Sequence, residues 1–304
     1  MRIGLSGANG SVERVVEHAR AAEAEGFTSL WYPGASAGDP LIPVAHAGRA
    51  TTTIEVGTSI LPTYPCHPML MAGRATTVAN AMERIGFTLG IGPSHQPVIE
   101  GVYGMSYAHA GRHTEEYATV LTQLLRGDTV AFEGDDFQVH ARGAAPEPGP
   151  VPVLIAALAP RLLRVAGAIA DGTITWMANA RALESLITPS ITRAANDAGR
   201  DAPRVVVGLP VCVHDDVVEA RTVAAEQFAI YGALPNYQRV LAVGGIDAPA
   251  DAVIVGNEAA VRTQIEALFA AGATDVWANT FLVGDDRAAS RERTRALLGD
   301  LARS

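Results

Sequence analysis

Apolar residues recur along the chain in two alternating rhythms. Short β-branched runs read as strands, and between them lie longer stretches whose apolar positions return every three or four residues, the period of a helix with one buried face. The first pair sets the pattern. Residues 3–6 (IGLS) predict a strand, and 11–26 predict a helix with Val12, Val15, Val16, Ala19 and Ala22 at helical spacing, Ser11 as N-cap and Gly26 as stop. Further strands are predicted at 28–32, 54–61, 85–91, 153–156, 173–176, 204–213 and 275–281. Helices are predicted at 41–51, 69–81, 113–126, 161–170, 182–198, 217–231, 258–271 and 288–303.

Two segments interrupt the alternation. Residues 129–139 (TVAFEGDDFQV) read as a β-hairpin insertion, near 129–140, with polar Glu-Gly-Asp-Asp at its turn; the Gly/Pro/Ala-rich stretch 233–253 reads as an irregular loop insertion. About eight strand–helix units without a compositional break predict one α/β domain over 1–304, a (β/α)8 TIM barrel with two insertions. A doubly wound open sheet is the alternative, although Gly4-Leu5-Ser6-Gly7 stands where G-x-G-x-x-G would follow the first strand. In a barrel the chemistry sits where strands end, so those segments hold the candidates.

Composition narrows the chemistry. Acidic residues outnumber basic ones 32 to 23, a net charge of −9, which argues against nucleic acid as a partner. All 23 basic residues are Arg. A chain without Lys is no Schiff-base aldolase, pyridoxal-phosphate enzyme or Walker-A nucleotidase, each of which needs a Lys amine. Cys66 and Cys212 lie far apart, so no disulfide framework is expected, and the reduced cytoplasm is the expected compartment. No apolar run reaches the roughly 18 residues of a membrane span, and the opening MRIGLSGANG lacks a signal peptide's layout. The expected partner is a small molecule, with no membrane.

Three strand-end segments stand out. In TSILPTYPCHP (58–68) the prolines impose an extended, rigid loop, and Pro68 opens the next helix. In LGIGPSH (89–95), Gly90 and Gly92 let the backbone approach a ligand, and His95 is the best-placed titratable group, a surface-loop histidine being the plain alternative. In IAALAPRL (155–162), small residues lead into a helix start whose free N–H groups, with Arg161, suit a phosphate, unless Arg161 simply faces solvent. The aromatics Trp31, Tyr32, Tyr64 and Trp176 also fall at strand ends, where they either wall a flat cofactor or fill the core; with Met177 they imply an apolar pocket. His-x-His and Glu-x-x-His are absent, and His109 and His113 begin a helix far from a second ligand pair, so no metal is expected. A mouth so poor in acids, bases and metal ligands points to a cofactor as the carrier of the chemistry.

With these segments in hand the sequence resembles the luciferase-like monooxygenase superfamily, and within it the actinobacterial coenzyme F420-dependent oxidoreductases. The resemblance rests on GFTSLW (26–31), IEVGTSILPTYPCHP (54–68), FTLGIGPSH (87–95), GRHTEEY (111–117), FEGDDFQV (132–139), PVPVLIAALAPRLLRVAGAIADGTITWM (150–177) and GNEAAVRTQIEALFAAGATDV (256–276). It implies a non-proline cis peptide at Ser59–Ile60 against the deazaflavin ring, with Pro62 and Thr63 on the same side. It implies Gly92, Pro93 and Ser94 along the ring and ribityl chain, and Ala157, Leu158, Pro160 and Arg161 at the phosphate and the anionic tail. His95, then Tyr64, are the candidate catalytic proton donors; Trp31, Trp176 and Met177 are the candidate substrate pocket.

The sequence departs from the family in places. Many F420-dependent dehydrogenases carry an Asp-His pair where Tyr32-Pro33-Gly34-Ala35 stands. The sugar-phosphate dehydrogenases use a Glu where His95 stands and hold phosphate with Lys, so glucose-6-phosphate oxidation is not expected. The expected function is hydride transfer between F420 and an apolar or conjugated organic substrate. The alternatives are an FMN-dependent luciferase-type monooxygenase, a non-catalytic flavin- or deazaflavin-binding paralogue and, last, a metal hydrolase barrel. A homodimer is expected, with small-residue helices 41–51 and 69–81 as its close-packed face.

Overall fold

The computed structural model describes residues 1–34 and 38–304. Eight strands, Ile3–Ser6, Ser29–Tyr32, Glu55–Thr58, Phe87–Gly92, Val153–Ile155, Gly172–Trp176, Arg204–Val213 and Asp275–Thr280, pair in parallel in chain order. The eighth pairs with the seventh (Val206↔Asp275) and with the first (Ile3↔Val276), so the sheet closes on itself. The fold is therefore the (β/α)8 TIM barrel, and the closing pair excludes an open sheet. Parallel strands covered by helices outside and side chains inside are buried on both faces. That is why every residue of Ser29–Tyr32 and Phe87–Gly92 is buried.

Two indoles dominate the barrel interior. Trp31 and Trp277 pack there with Leu154, Ile174 and Val206. Space comes from glycines on other strands: a Cβ on Gly57 would lie 2.6 Å from Trp31 Cζ3, and one on Gly208 would lie 2.2 Å from Trp277 Cε2. Trp31 Nε1 donates to Ser29 Oγ at 3.0 Å, which satisfies its polar atom inside the barrel.

A charged lattice closes the N-terminal end of the barrel. Arg204, at the start of the seventh strand, reaches Glu55 at the start of the third (2.8 Å) and Asp275 at the start of the eighth (2.7 Å). Arg2 bridges the same two carboxylates, at 2.6 Å each. Burial raises the pKa of Asp275, but its hydrogen bond to Arg204 and the charges of Arg204 and Arg2 outweigh this and hold it below the usual carboxylate range.

The segment read as an irregular loop at 233–253 is helical in large part. A 3₁₀ turn, Ala229–Ala233, leads into helices Pro235–Val243 and Pro249–Ala252. Only Tyr237, Val240 and Leu241 of the longer helix are buried, a face too short to stand out against the Gly/Pro/Ala background. The strand Ile254–Gly256, absent from the sequence prediction, then pairs with the far end of the seventh strand (Val211↔Ile254). The predicted third strand, 54–61, splits into Glu55–Thr58 and a two-residue piece, Leu61–Pro62, paired with Phe87–Gly92. The helix Gln96–Gly101 also went unpredicted. Residues Thr129–Glu133 and Gln138–Arg142 form an antiparallel hairpin. Cys66 and Cys212 are both buried and free. Among the described residues no helix is long and apolar enough to cross a membrane.

The lattice makes a stability prediction. Arg204→Ala leaves Asp275, 1% exposed, without its main partner and costs about 3 kcal/mol, whereas Arg2→Ala, half exposed, costs under about 1 kcal/mol. Because the folded pKa of Asp275 is depressed, its contribution is present above the unfolded value of about 3.9 and fades as pH falls through the lower folded value. Urea unfolding of the three proteins at pH 7 and across the acid limb checks both statements; equal losses for the two variants would contradict them.

Candidate active site

A cleft of ≈ 510 Å³ opens at the C-terminal ends of the barrel strands. Its wall is built from Ser6, Pro33 and Gly34, Ser59, Ile60 and Pro62, Pro93 to His95, Ala156 to Ala159, Trp176, Trp277 and Asn279, with Tyr231, Asn236 and Tyr237 over the mouth. That volume suits a drug-sized or cofactor-ring ligand. Trp277 serves twice, as part of the barrel filling and as part of the cleft lining.

The third-strand end shapes one side. The Ser59–Ile60 peptide is cis. Ser59 N donates to Tyr32 O at 2.8 Å, Gly34 N donates to Ile60 O at 3.2 Å, and Thr63 N donates to Gly92 O at 3.0 Å, so this backbone is tied to both neighbouring strands. A Cβ on Gly92 would lie 2.9 Å from Ala156 Cβ and 3.3 Å from Ile60 Cδ1. Glycine there lets Ile60 and the fifth-strand end approach. Ser94 holds φ 60 and Met177 φ 62, sparsely populated for residues with side chains, at two strand ends beside the cleft.

Of the predicted residues, Ser59, Ile60, Pro62, Pro93, Ser94, His95, Ala157, Leu158 and Trp176 line the cleft. The others do not. Trp31 lies wholly in the barrel interior, and Met177 is 1% exposed in the outer core. Gly92 and Thr63 are buried behind the lining, Thr63 Oγ1 without a partner. Pro160 begins the helix Pro160–Ile169. Arg161, half exposed outside the lining, donates from Nη2 to Glu115 Oε2 at 2.9 Å. Tyr64 stacks on His113 with ring centroids 3.9 Å apart, away from the cleft. Burial, with the charges of Asp136 and Glu100, pushes its phenol up to about 12, beyond useful proton donation near neutrality.

The sequence reading missed Asn279, Trp277 and the mouth residues Tyr231, Asn236 and Tyr237. A signal was present in W-A-N at 277–279, since alternate residues of a strand face the same side. The mouth residues were hidden in the segment read as a loop.

The described lining contains no Asp, Glu or Arg side chain. His95 is half-buried, its ring centroid 5.6 Å from that of Tyr237, and burial pulls its pKa below 6.5. Aromatic contacts continue from Tyr237 to Tyr231 (4.8 Å), Trp176 (5.9 Å) and Trp277 (5.2 Å). The indole N–H groups of Trp176 and Trp277 and the Ser59 hydroxyl are buried without a partner. The helix Pro160–Ile169 has no side-chain N-cap, and its Ala159 and Leu162 line the cleft, leaving first-turn N–H groups for an anion. Among the described residues no cluster of three or more His, Cys, Asp or Glu could hold a metal. A larger groove, ≈ 740 Å³, lies away from the strand ends on the helices Leu41–Arg49 and Pro68–Met82.

The sequence profile of the luciferase-like monooxygenases matches residues 2–302, and the chain belongs to that family. It is 26% identical to the 5,10-methylenetetrahydromethanopterin reductase of Methanolobus tindarius over 274 residues, 90% of this chain and 82% of that protein. Among solved structures it is similar to the coenzyme F420-dependent tetrahydromethanopterin reductase of Methanopyrus kandleri, with a TM-score of 0.76, 20% identity and coverage of 98% and 97% of the two chains. It is also similar to the FMN-bound oxygenating constituent of 3,6-diketocamphane monooxygenase of Pseudomonas putida, with a TM-score of 0.74, 18% identity and coverage of 98% and 97%. At these identities the two structures speak for the fold.

The neutral state of His95 is testable. Its ring proton titrates in NMR with a midpoint below 6.5, and the stability tied to that neutral ring is complete above the unfolded value near 6.5 and declines as pH falls toward the folded one. A midpoint at or above 6.5 would show the ring to be solvated.

Proposed function

We propose that this chain is a coenzyme F420-dependent oxidoreductase, transferring hydride between the deazaflavin and a small apolar or conjugated organic substrate in the cytoplasm. The observation that carries the reading is the cleft itself. An aromatic mouth without ionic side chains lies beside an uncapped helix start, with no cysteine, carboxylate pair or metal cluster among the described lining residues. The F420-named relatives add support.

The residues present fit such a cofactor. Ser59 and Ile60 would support the flat ring, and the buried Ser59 hydroxyl and indole N–H groups await acceptors. Ala157, Leu158 and the free N–H groups after Pro160 would hold the phosphate. When bound, the deazaflavin supplies or accepts the hydride. The protein's share is to orient the substrate against Trp176, to border the mouth with Tyr231 and Tyr237, and to place His95 at the rim. With its pKa lowered, His95 is a neutral hydrogen-bonding group near pH 7, not a ready acid.

FMN stays the second reading because of Arg161. An anionic F420 tail must compete with Glu115 for that guanidinium, whereas the shorter FMN needs only the helix start. Titration of the apoprotein with each cofactor decides: F420 binds, and Arg161→Ala weakens it about tenfold, the worth of one charge-assisted hydrogen bond. Glu115→Gln, which frees Arg161, tightens F420 at low salt and leaves FMN unchanged. Binding of FMN alone would move the chain to the monooxygenase reading, and binding of neither would end both.

The open apolar groove supports a homodimer as part of the same reading. Ile42, Met69 and Leu70 are 61%, 54% and 60% exposed along it, which is unusual for large apolar side chains gathered in one place. Leu70→Asp is expected to convert a dimer into a monomer in light scattering; a monomeric parent chain would refute this face as an interface.

A further inference from the structure

We propose that the cleft reduces the carbon–carbon double bond of an uncharged α,β-unsaturated ketone, whose carbonyl oxygen is received by the carboxamides of Asn236 and Asn279. This rests on the hydride-transfer reading above and goes further by naming the substrate class and the residues that select it.

Three observations converge. First, the described lining carries no ionic side chain, so a carboxylate or phosphate on the substrate would be buried without a counter-charge, a cost that a neutral molecule avoids. Two uncapped helix starts, those of Pro160–Ile169 and Pro235–Val243, border the cleft, and the cofactor phosphate takes the first in this reading. Second, Trp176, Tyr231, Tyr237 and Trp277 form a run of touching rings, a wall for a flat, conjugated skeleton. Third, Asn236 stands at the start of the mouth helix and Asn279 on the same face of the eighth strand as Trp277; both are half-buried in the lining, and neither side chain is hydrogen-bonded to the described residues. Amides of this kind donate to a carbonyl oxygen and do not require it to be charged.

The same groups separate double-bond from carbonyl reduction. Direct carbonyl reduction concentrates the negative charge on one alkoxide oxygen, and the described lining has no cationic side chain to meet it. Near pH 7 the cleft holds a neutral His95 and tyrosines whose pKa values burial raises. Conjugate reduction needs only hydrogen bonds to a delocalised enolate oxygen. In that step the hydride and its electron pair leave the reduced deazaflavin, which is oxidised. A C–H bond forms at the β-carbon, the alkene π pair shifts toward the carbonyl oxygen, and water at the mouth protonates the α-carbon as the carbonyl re-forms.

Benzylideneacetone and cinnamate share a skeleton and differ in charge, so equilibrium dialysis of both against protein carrying oxidised F420 tests the proposal. The ketone is expected to bind at least about tenfold tighter at pH 7, and Asn279→Leu and Asn236→Leu each to weaken it about tenfold, one hydrogen bond's worth, without changing cinnamate. With reduced F420 the product is 4-phenylbutan-2-one. Equal affinity for the two probes, or the allylic alcohol as product, overturns this proposal while F420 binding stands. If F420 does not bind, the hydride-transfer reading fails and takes the reduction with it, and dialysis of the apoprotein still tests the preference for the neutral ketone.

Discussion

The structure depends on how the inside of the barrel is filled. A closed sheet of eight short strands leaves a column that branched aliphatics usually occupy in layers. Here two indoles take much of that volume, and each is possible only because a glycine on another strand gives way, Gly57 to Trp31 and Gly208 to Trp277. Large flat side chains fill the middle of the column, and the upper surface of one of them becomes the floor of the cleft. The depth of the site is therefore a packing result. Enlarging Gly208 would push Trp277 into the space a ligand needs.

The two ends of the column are chemically opposite. At the N-terminal end, two arginines and two carboxylates share an ionic lattice that ties the first, third, seventh and eighth strands together. At the C-terminal end the described lining has no ionic side chain. Charge placed where no ligand goes holds the strands in register, and its absence where ligands go leaves polar selection to amides, indoles and one imidazole.

Much of this was legible in the sequence. The alternation of β-branched runs with helical periods located all eight barrel strands, because parallel strands and amphipathic helices impose periods that composition cannot hide. The strand-end rule brought Ser59, Ile60, Ser94, His95, Ala157, Leu158 and Trp176 into view. It failed where direction mattered. Trp31 and Trp277 are both barrel tryptophans, yet only Trp277 reaches the cleft, and nothing in a one-dimensional pattern distinguishes them. The pairing of Arg161 with Glu115, some forty residues earlier in the chain, is equally a property of the folded surface. The helix over the mouth escaped because its buried face is three side chains long. The departure after the second strand ends at Ala35, which lies outside the described residues.

The burial of both thiols acquires a further meaning beside the absence of Lys. Electron-poor alkenes alkylate proteins chiefly at exposed sulfur and at side-chain amines. This chain has no such amine, and its two sulfhydryls are 8% and 0% exposed. Its nucleophilic side chains are mainly imidazoles, slower partners for a soft electrophile. A protein so composed tolerates reactive small molecules at its surface and in its cleft with little self-modification, a durability set by what the sequence omits as much as by what the fold conceals.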